Sequence, residues 1–168
     1  MSHPVVLALF DAAAAAAAAG RELREYGVPR ERVSIVARSH DEEGVLARAS
    51  GASPGSELED SVAASRLGEL SAHLLAAIAL VMPGIGPIVA DGPLAAGLGE
   101  AAGHLAGGVS RTLEGAGLSH AEAEQWEARI RAGAFLVGAH VGPAHVDGAR
   151  DVLLRAGGRE VTVGTWPD

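Results

Sequence analysis

Two segments of this chain, lying 130 residues apart, follow the same plan, and any fold must accommodate both. Val5-Val6-Leu7-Ala8-Leu9-Phe10 is a short run of apolar, strand-forming residues. Asp11 stands where an N-cap would be, ahead of eight consecutive alanines at 12–19. Alanine is the best helix former, so the tract predicts a helix continuing through Leu23 to Tyr26. Gly27 is the expected terminator, with Pro29 two residues beyond. Val33-Ser34-Ile35-Val36-Ala37 is the returning strand. Near the other end, Phe135-Leu136-Val137-Gly138-Ala139 reads as a strand, and Pro143 opens a helix where its missing N–H costs nothing. That helix runs to Ala156, Gly157-Gly158 ends it, and Glu160-Val161-Thr162-Val163-Gly164 is the last strand. The 130-residue shift lays Leu23 on Leu153 and Gly27 on Gly157. Two β-α-β units of equal length predict an α+β fold: a ferredoxin-like split βαβ sandwich, four antiparallel strands with two helices on one face.

The intervening stretch predicts a long inserted α-helical hairpin. Residues 40–55 are polar and contain Gly and Ser, a linker composition. Ser56-x-x-Glu59 is a capping box that opens a helix to about Val81, with Leu67, Leu70, Leu74, Ile78 and Val81 at helical spacing. Met82-Pro83-Gly84-Ile85-Gly86-Pro87 breaks it. A second helix is expected from Pro93 to about Glu114, carrying Leu94, Leu98, Leu105, Val109 and Leu113 on one side. Gly97, Gly103, Gly107 and Gly108 interrupt it, each at a cost of roughly 1 kcal/mol. Close helix–helix approach accounts for such a stripe of small residues. Ser119-x-x-Glu122 caps a further helix to Arg131, with Trp126 and Ile130 inward. The division is therefore residues 1–39 as the first half, 40–55 as linker, 56–117 as hairpin and 118–168 as a helix plus the second half.

Composition removes several functions. The chain has no cysteine, which excludes disulfides, thiol nucleophiles and iron–sulfur clusters. It has no lysine either, so P-loop, kinase and Schiff-base chemistry lack their central residue. A net charge of -8 with scattered arginines argues against nucleic acid as a partner. Aromatic residues make up 3%, too few for a base-stacking platform. The first ten residues lack a basic n-region and enter a strand directly, so a cytoplasmic location is expected.

The run Pro-Gly-Ile-Gly-Pro-Ile-Val-Ala-Asp-Gly-Pro-Leu-Ala-Ala at 83–96 resembles the general stress protein 17M-like family of bacterial heat- or stress-induced proteins. The glycine-rich helix resembles it as well, as do Leu118-Ser119-x-Ala121-x-Ala123-Glu124-x-Trp126-Glu127, Arg131-x-Gly133 before a strand, and Phe10-Asp11 after the opening strand. The resemblance implies a stress-associated role and brings no enzymatic activity with it. The chain departs from the family in the first hairpin helix, where Glu57, Glu59, Asp60, Arg66, Glu69 and His73 replace a glycine–alanine run. Those charges count against embedding in a membrane.

Gly51-Ala52-Ser53-Pro54-Gly55 matches the G-x-S-x-G pattern, but Pro54 has no N–H for an oxyanion hole, so a linker turn is expected. Gly84-x-Gly86 lacks the third glycine of a dinucleotide loop, Val89 standing in its place. Glu69 with His73, and Glu100 with His104, are spaced i, i+4 and so share a helical face. Folding two helices antiparallel about 83–87 sets Glu69 level with His104 and His73 level with Glu100. Carboxylate plus imidazole suits Fe, Mn or Zn, and a dimer of hairpins would offer a ferritin-like arrangement of such ligands. The plainer reading is a salt-bridged, solvated face. His140 and His145 flank Pro143 and are expected in a surface loop; His120 is expected exposed in the first turn of its helix, and Asp91 as a cap.

The expectation that follows is a non-enzymatic protein whose hairpin drives homo-oligomerisation through Leu70, Leu74, Ile78, Leu98, Leu105 and Val109. Metal binding at Glu69, His73, Glu100 and His104 is the alternative, and association with a membrane surface a weaker one.

Overall fold

The computed structural model describes residues 1–38, 78–82, 86–102 and 108–168. They form an α+β fold around one antiparallel sheet. Six strands, β1 (Ser2–Phe10), β2 (Val33–Arg38), β3 (Ile78–Met82), β4 (Gly86–Asp91), β5 (Phe135–His140) and β6 (Arg159–Pro167), lie in the order β3-β4-β2-β5-β1-β6. The helices are α1 (Ala13–Tyr26), α2 (Pro93–Ala102), α3 (Gly108–Gly115), α4 (His120–Arg131) and α5 (Val146–Arg155).

The two repeated units interlock. Strand β5 of the second unit sits between β1 and β2 of the first, and β1 sits between β5 and β6. Val6 faces Ala139 in one pairing and Val163 in the other. The units also end their helices identically. Gly27 adopts φ 108° and donates to Arg24 O, while Val28 N–H reaches Leu23 O. Gly157, at φ 95°, donates to Leu154 O, and Gly158 N–H reaches Leu153 O. Both are left-handed terminators that satisfy the last helical carbonyls.

The opening strand explains the layering. Val5 to Phe10 are all fully buried, so neither face of β1 meets solvent. Side chains alternate across a strand. Val6, Ala8 and Phe10 pack with α1 and α5, whereas Val5, Leu7 and Leu9 pack with Leu94, Leu98, Val109, Leu113, Trp126 and Ile130 of α2, α3 and α4. A run without polar alternation demands cover on both sides. The two helices of the repeated units, α1 and α5, share one face, and α2, α3 and α4 add a layer on the other that the sequence reading did not include. On the first face, Ala13, Ala16, Ala17 and Ala19 are buried, and their small side chains bring α1 close to the sheet.

The inserted helical hairpin is corrected over 78–91. Strand β3 stands where the helix expected to reach about Val81 would end, and β4 begins at Gly86, inside the expected break. Met82 pairs with Gly86 and Ile78 with Ala90, making a β-hairpin whose connection is residues 83–85. Short apolar runs flanked by Pro and Gly favour this outcome over helix. The helix expected over 93–114 is present as α2 and α3. These two do not form a free-standing arm, because Leu94, Leu98, Val109 and Leu113 are buried beneath the sheet. The earlier helix from Ser56 and the linker at 40–55, with its G-x-S-x-G, lie outside the described residues.

Three local readings change or stand. Asp11 does not cap α1; that position is Ala12, and Asp11 instead accepts from Arg159 Nε at 3.0 Å and Arg129 Nη2 at 3.5 Å. The capping box at Ser119 is complete, with Glu122 N–H donating to Ser119 Oγ and Ser119 N–H to Glu122 Oε2. Pro143 opens a short 3-10 turn, after which α5 begins at Val146.

Candidate functional site

A cleft of about 640 Å³ opens between α2, α3 and the end of β6, lined in part by His3, Gly97, Arg111, Trp166 and Asp168. Local sequence sets each wall. Trp166 faces His3 across the β1–β6 pair, which brings the aromatic ring beside the imidazole. Gly97 leaves the ring its space: a Cβ there would come within 2.9 Å of Trp166 Cη2 and 3.2 Å of Thr112 Cγ2. On α3, Ser110 N–H donates to Glu127 Oε2 at 2.7 Å, and Glu127 also receives Arg131. A side chain of α4 thus satisfies one of the free N–H groups at the start of α3 and fixes the turn that carries Arg111.

Behind the cleft runs a chain of polar groups. Asp168 Oδ1 lies 2.6 Å from His3 Nδ1, His3 Nε2 lies 3.0 Å from His140 Nδ1, and His140 Nε2 lies 2.9 Å from Ser34 Oγ. Ser34 Oγ in turn accepts from Leu94 N–H, at the start of α2, at 3.1 Å. Burial, helped by His3 and Arg32, pushes the His140 pKa down to about 3, so its ring is neutral near pH 7. One arrangement of hydrogens then satisfies every group. Ser34 O–H donates to His140 Nε2, His140 Nδ1–H to His3 Nε2, and His3 Nδ1–H to Asp168. The hydrogen bond from His3 holds the Asp168 carboxyl below the usual carboxylate range.

This order of carboxylate, imidazole and hydroxyl is that of a nucleophilic relay, but Ser34 is fully buried. Its oxygen is already engaged by Leu94 N–H, so it meets no substrate. The chain instead ties the cleft mouth to the sheet interior and to the first turn of α2.

His140 corrects an expectation. It is the last residue of β5, 1% exposed and opposite Val5, rather than part of a surface loop. Trp166 closes over it, with ring centroids 5.8 Å apart at 81°. His145 is exposed as expected, its ring against Tyr26. His120 is exposed too, between Glu114 at 2.7 Å and Glu124 at 3.3 Å, which raise its pKa. Asp91 ends β4 and accepts from Gly92 N–H at 2.7 Å.

Of the expected metal ligands, Glu100 falls within α2, while Glu69, His73 and His104 lie outside the described residues. The register that set them level assumed two helices meeting at 83–87, and the flanking residues are β3 and β4. Among the described residues no three His, Asp or Glu groups gather as a metal site. Of the expected self-association residues, Leu98 and Val109 are each 1% exposed in the chain's own core, Ile78 starts β3, and Leu70, Leu74 and Leu105 lie outside the described residues. No helix among the described residues is long and apolar enough to cross a membrane. His3, Ser34, Trp166 and Asp168 escaped the sequence reading; the available signal was Ser34, a polar residue inside an apolar strand.

Comparison with protein-family models, with curated proteins and with solved structures finds no match for this chain.

Proposed function

We propose that this is a non-enzymatic, stress-associated protein with a ferredoxin-like core, which self-associates through the segment inserted between β2 and α2. The ferredoxin-like reading is supported by the order β2-β5-β1-β6, in which two β-α-β units interlock with α1 and α5 on one face. The stress association is supported by the resemblance over 83–139 described above.

The observation that carries self-association is the contrast between the two edges of the sheet. Strand β3, Ile78-Ala79-Leu80-Val81-Met82, has neither a charge nor a proline, and among the described residues it pairs on one side only, with β4. Such an edge offers a row of backbone donors and acceptors to another copy. The opposite edge, β6, is blunted. Its register shifts against β1 between Leu7 and Leu9, it carries Arg159, Glu160 and Pro167, and Thr165 N–H is spent on Ala116 O at 2.9 Å. An added Cβ at Gly164 would run into that same Ala116 carbonyl, so the loop after α3 lies directly on the strand.

Lysine on an edge strand opposes strand pairing. Leu80→Lys is expected to convert the oligomer to monomer on size-exclusion chromatography with light scattering. Val163→Lys, on the opposite edge at a position already 46% exposed, is expected to leave it intact. Both variants should keep the circular dichroism of the parent. An unchanged oligomer in Leu80→Lys, or equal dissociation by both, would contradict the proposal.

A further inference from the structure

We propose that the cleft between α2, α3 and the end of β6 binds a small monocarboxylate with an apolar, ring-sized body. This goes beyond self-association and does not depend on it. A cleft of about 640 Å³ is within the range that encloses a small ligand. Its lining divides into two chemistries. Trp166, Pro93, Ala96, Gly97 and Pro167 give an apolar wall. The Trp166 ring is held there by Gly97 beneath it and by its edge-on contact with His140, so it is a ready stacking surface.

Charge selects the other end of the ligand. Arg111 lines the cleft, is exposed, and makes no ion pair among the described residues. The acidic side chain on the lining, Asp168, already has partners: Oδ1 accepts from His3 Nδ1–H at 2.6 Å, and the amino group of Met1 lies 3.7 Å from Oδ2. Arg111 is thus the charged lining side chain without an ion-pair partner among the described residues. A guanidinium presents two parallel N–H groups that fit one carboxylate. A monoanion is thus favoured over a cation or a neutral molecule of the same shape.

Benzoate is the probe, with benzyl alcohol and benzylammonium as its neutral and cationic counterparts. The chain has two tryptophans, so Trp126→Phe leaves Trp166 as the sole reporter. Benzoate should change Trp166 emission saturably, and at least tenfold more weakly in Arg111→Gln; benzyl alcohol should bind at least tenfold more weakly to the parent. Gly115→Leu should abolish the response while keeping Arg111, because a Cβ at Gly115 meets nothing within 4 Å and the longer side chain would fill the cleft. Isothermal titration calorimetry on the unsubstituted chain should give the same ranking of the three probes. No saturable response to benzoate, equal affinity in Arg111→Gln, or tighter binding of benzylammonium would overturn the proposal.

Discussion

His140 shows how far one side chain departs from what its neighbours in sequence suggest. Sitting three residues before Pro143, it reads as part of a loop; in the fold it is sealed under Trp166 and bonded to Ser34 and His3. Its burial is created by residues distant in sequence, Trp166 on the last strand and His3 and Ser34 more than a hundred positions away, so no local pattern announces it. The same burial has a consequence for stability. The pKa of His140 falls from 6.5 to about 3 on folding, so the unfolded chain takes up this proton first as pH drops. Its contribution is therefore complete above about pH 7 and declines as pH falls from 6.5 towards 3, with about 2 kcal/mol lost by pH 5. His120 works in the opposite sense, since its raised pKa gives stability below 6.5 that is lost as pH rises, but its exposure keeps that contribution small. Urea titrations at pH 7 and pH 5 should show the loss in the parent. His140→Gln should be less stable at pH 7 and show a flatter dependence between the two. Equal slopes in parent and variant would remove His140 from this role.

At the scale of elements, legibility followed the range of the interactions. Helix ends are fixed within a turn or two, and Gly27, Gly157 and the Ser119 capping box all appear where the sequence places them. A Cβ on Gly27 or Gly157 would touch nothing within 4 Å, so substitution there meets a purely conformational obstacle. Gly27→Ala and Gly157→Ala should each cost about 1 kcal/mol, read as a lowered Tm in thermal melts, and the two costs should be similar. A cost near zero in either would mean that the terminator is not held left-handed. Strands β3 and β4 were misread for the complementary reason. Ile78 and Val81 continue a helical spacing from Leu67, Leu70 and Leu74, and a short apolar run satisfies either period. The choice is made by pairing with β2 through β4, where Ile35 meets Asp91 and Arg38 meets Ile88.

Across the whole molecule, the repeated β-α-β units were the most legible feature because each half repeats the same local signals. The second covering layer was not, although Val5 to Phe10 carried the hint in having no polar alternation. Placing α2, α3 and α4 on that face buries Leu98 and Val109, two of the residues expected to join copies. The proposed association rests instead on backbone at the edge of β3, opposite an edge that is covered and charged. The most direct measurement is the molar mass of the unsubstituted protein by light scattering over a dilution series. A mass of at least twice the 16.9 kDa chain, falling on dilution or in Leu80→Lys, is the predicted result. A mass of one chain at every concentration would contradict self-association.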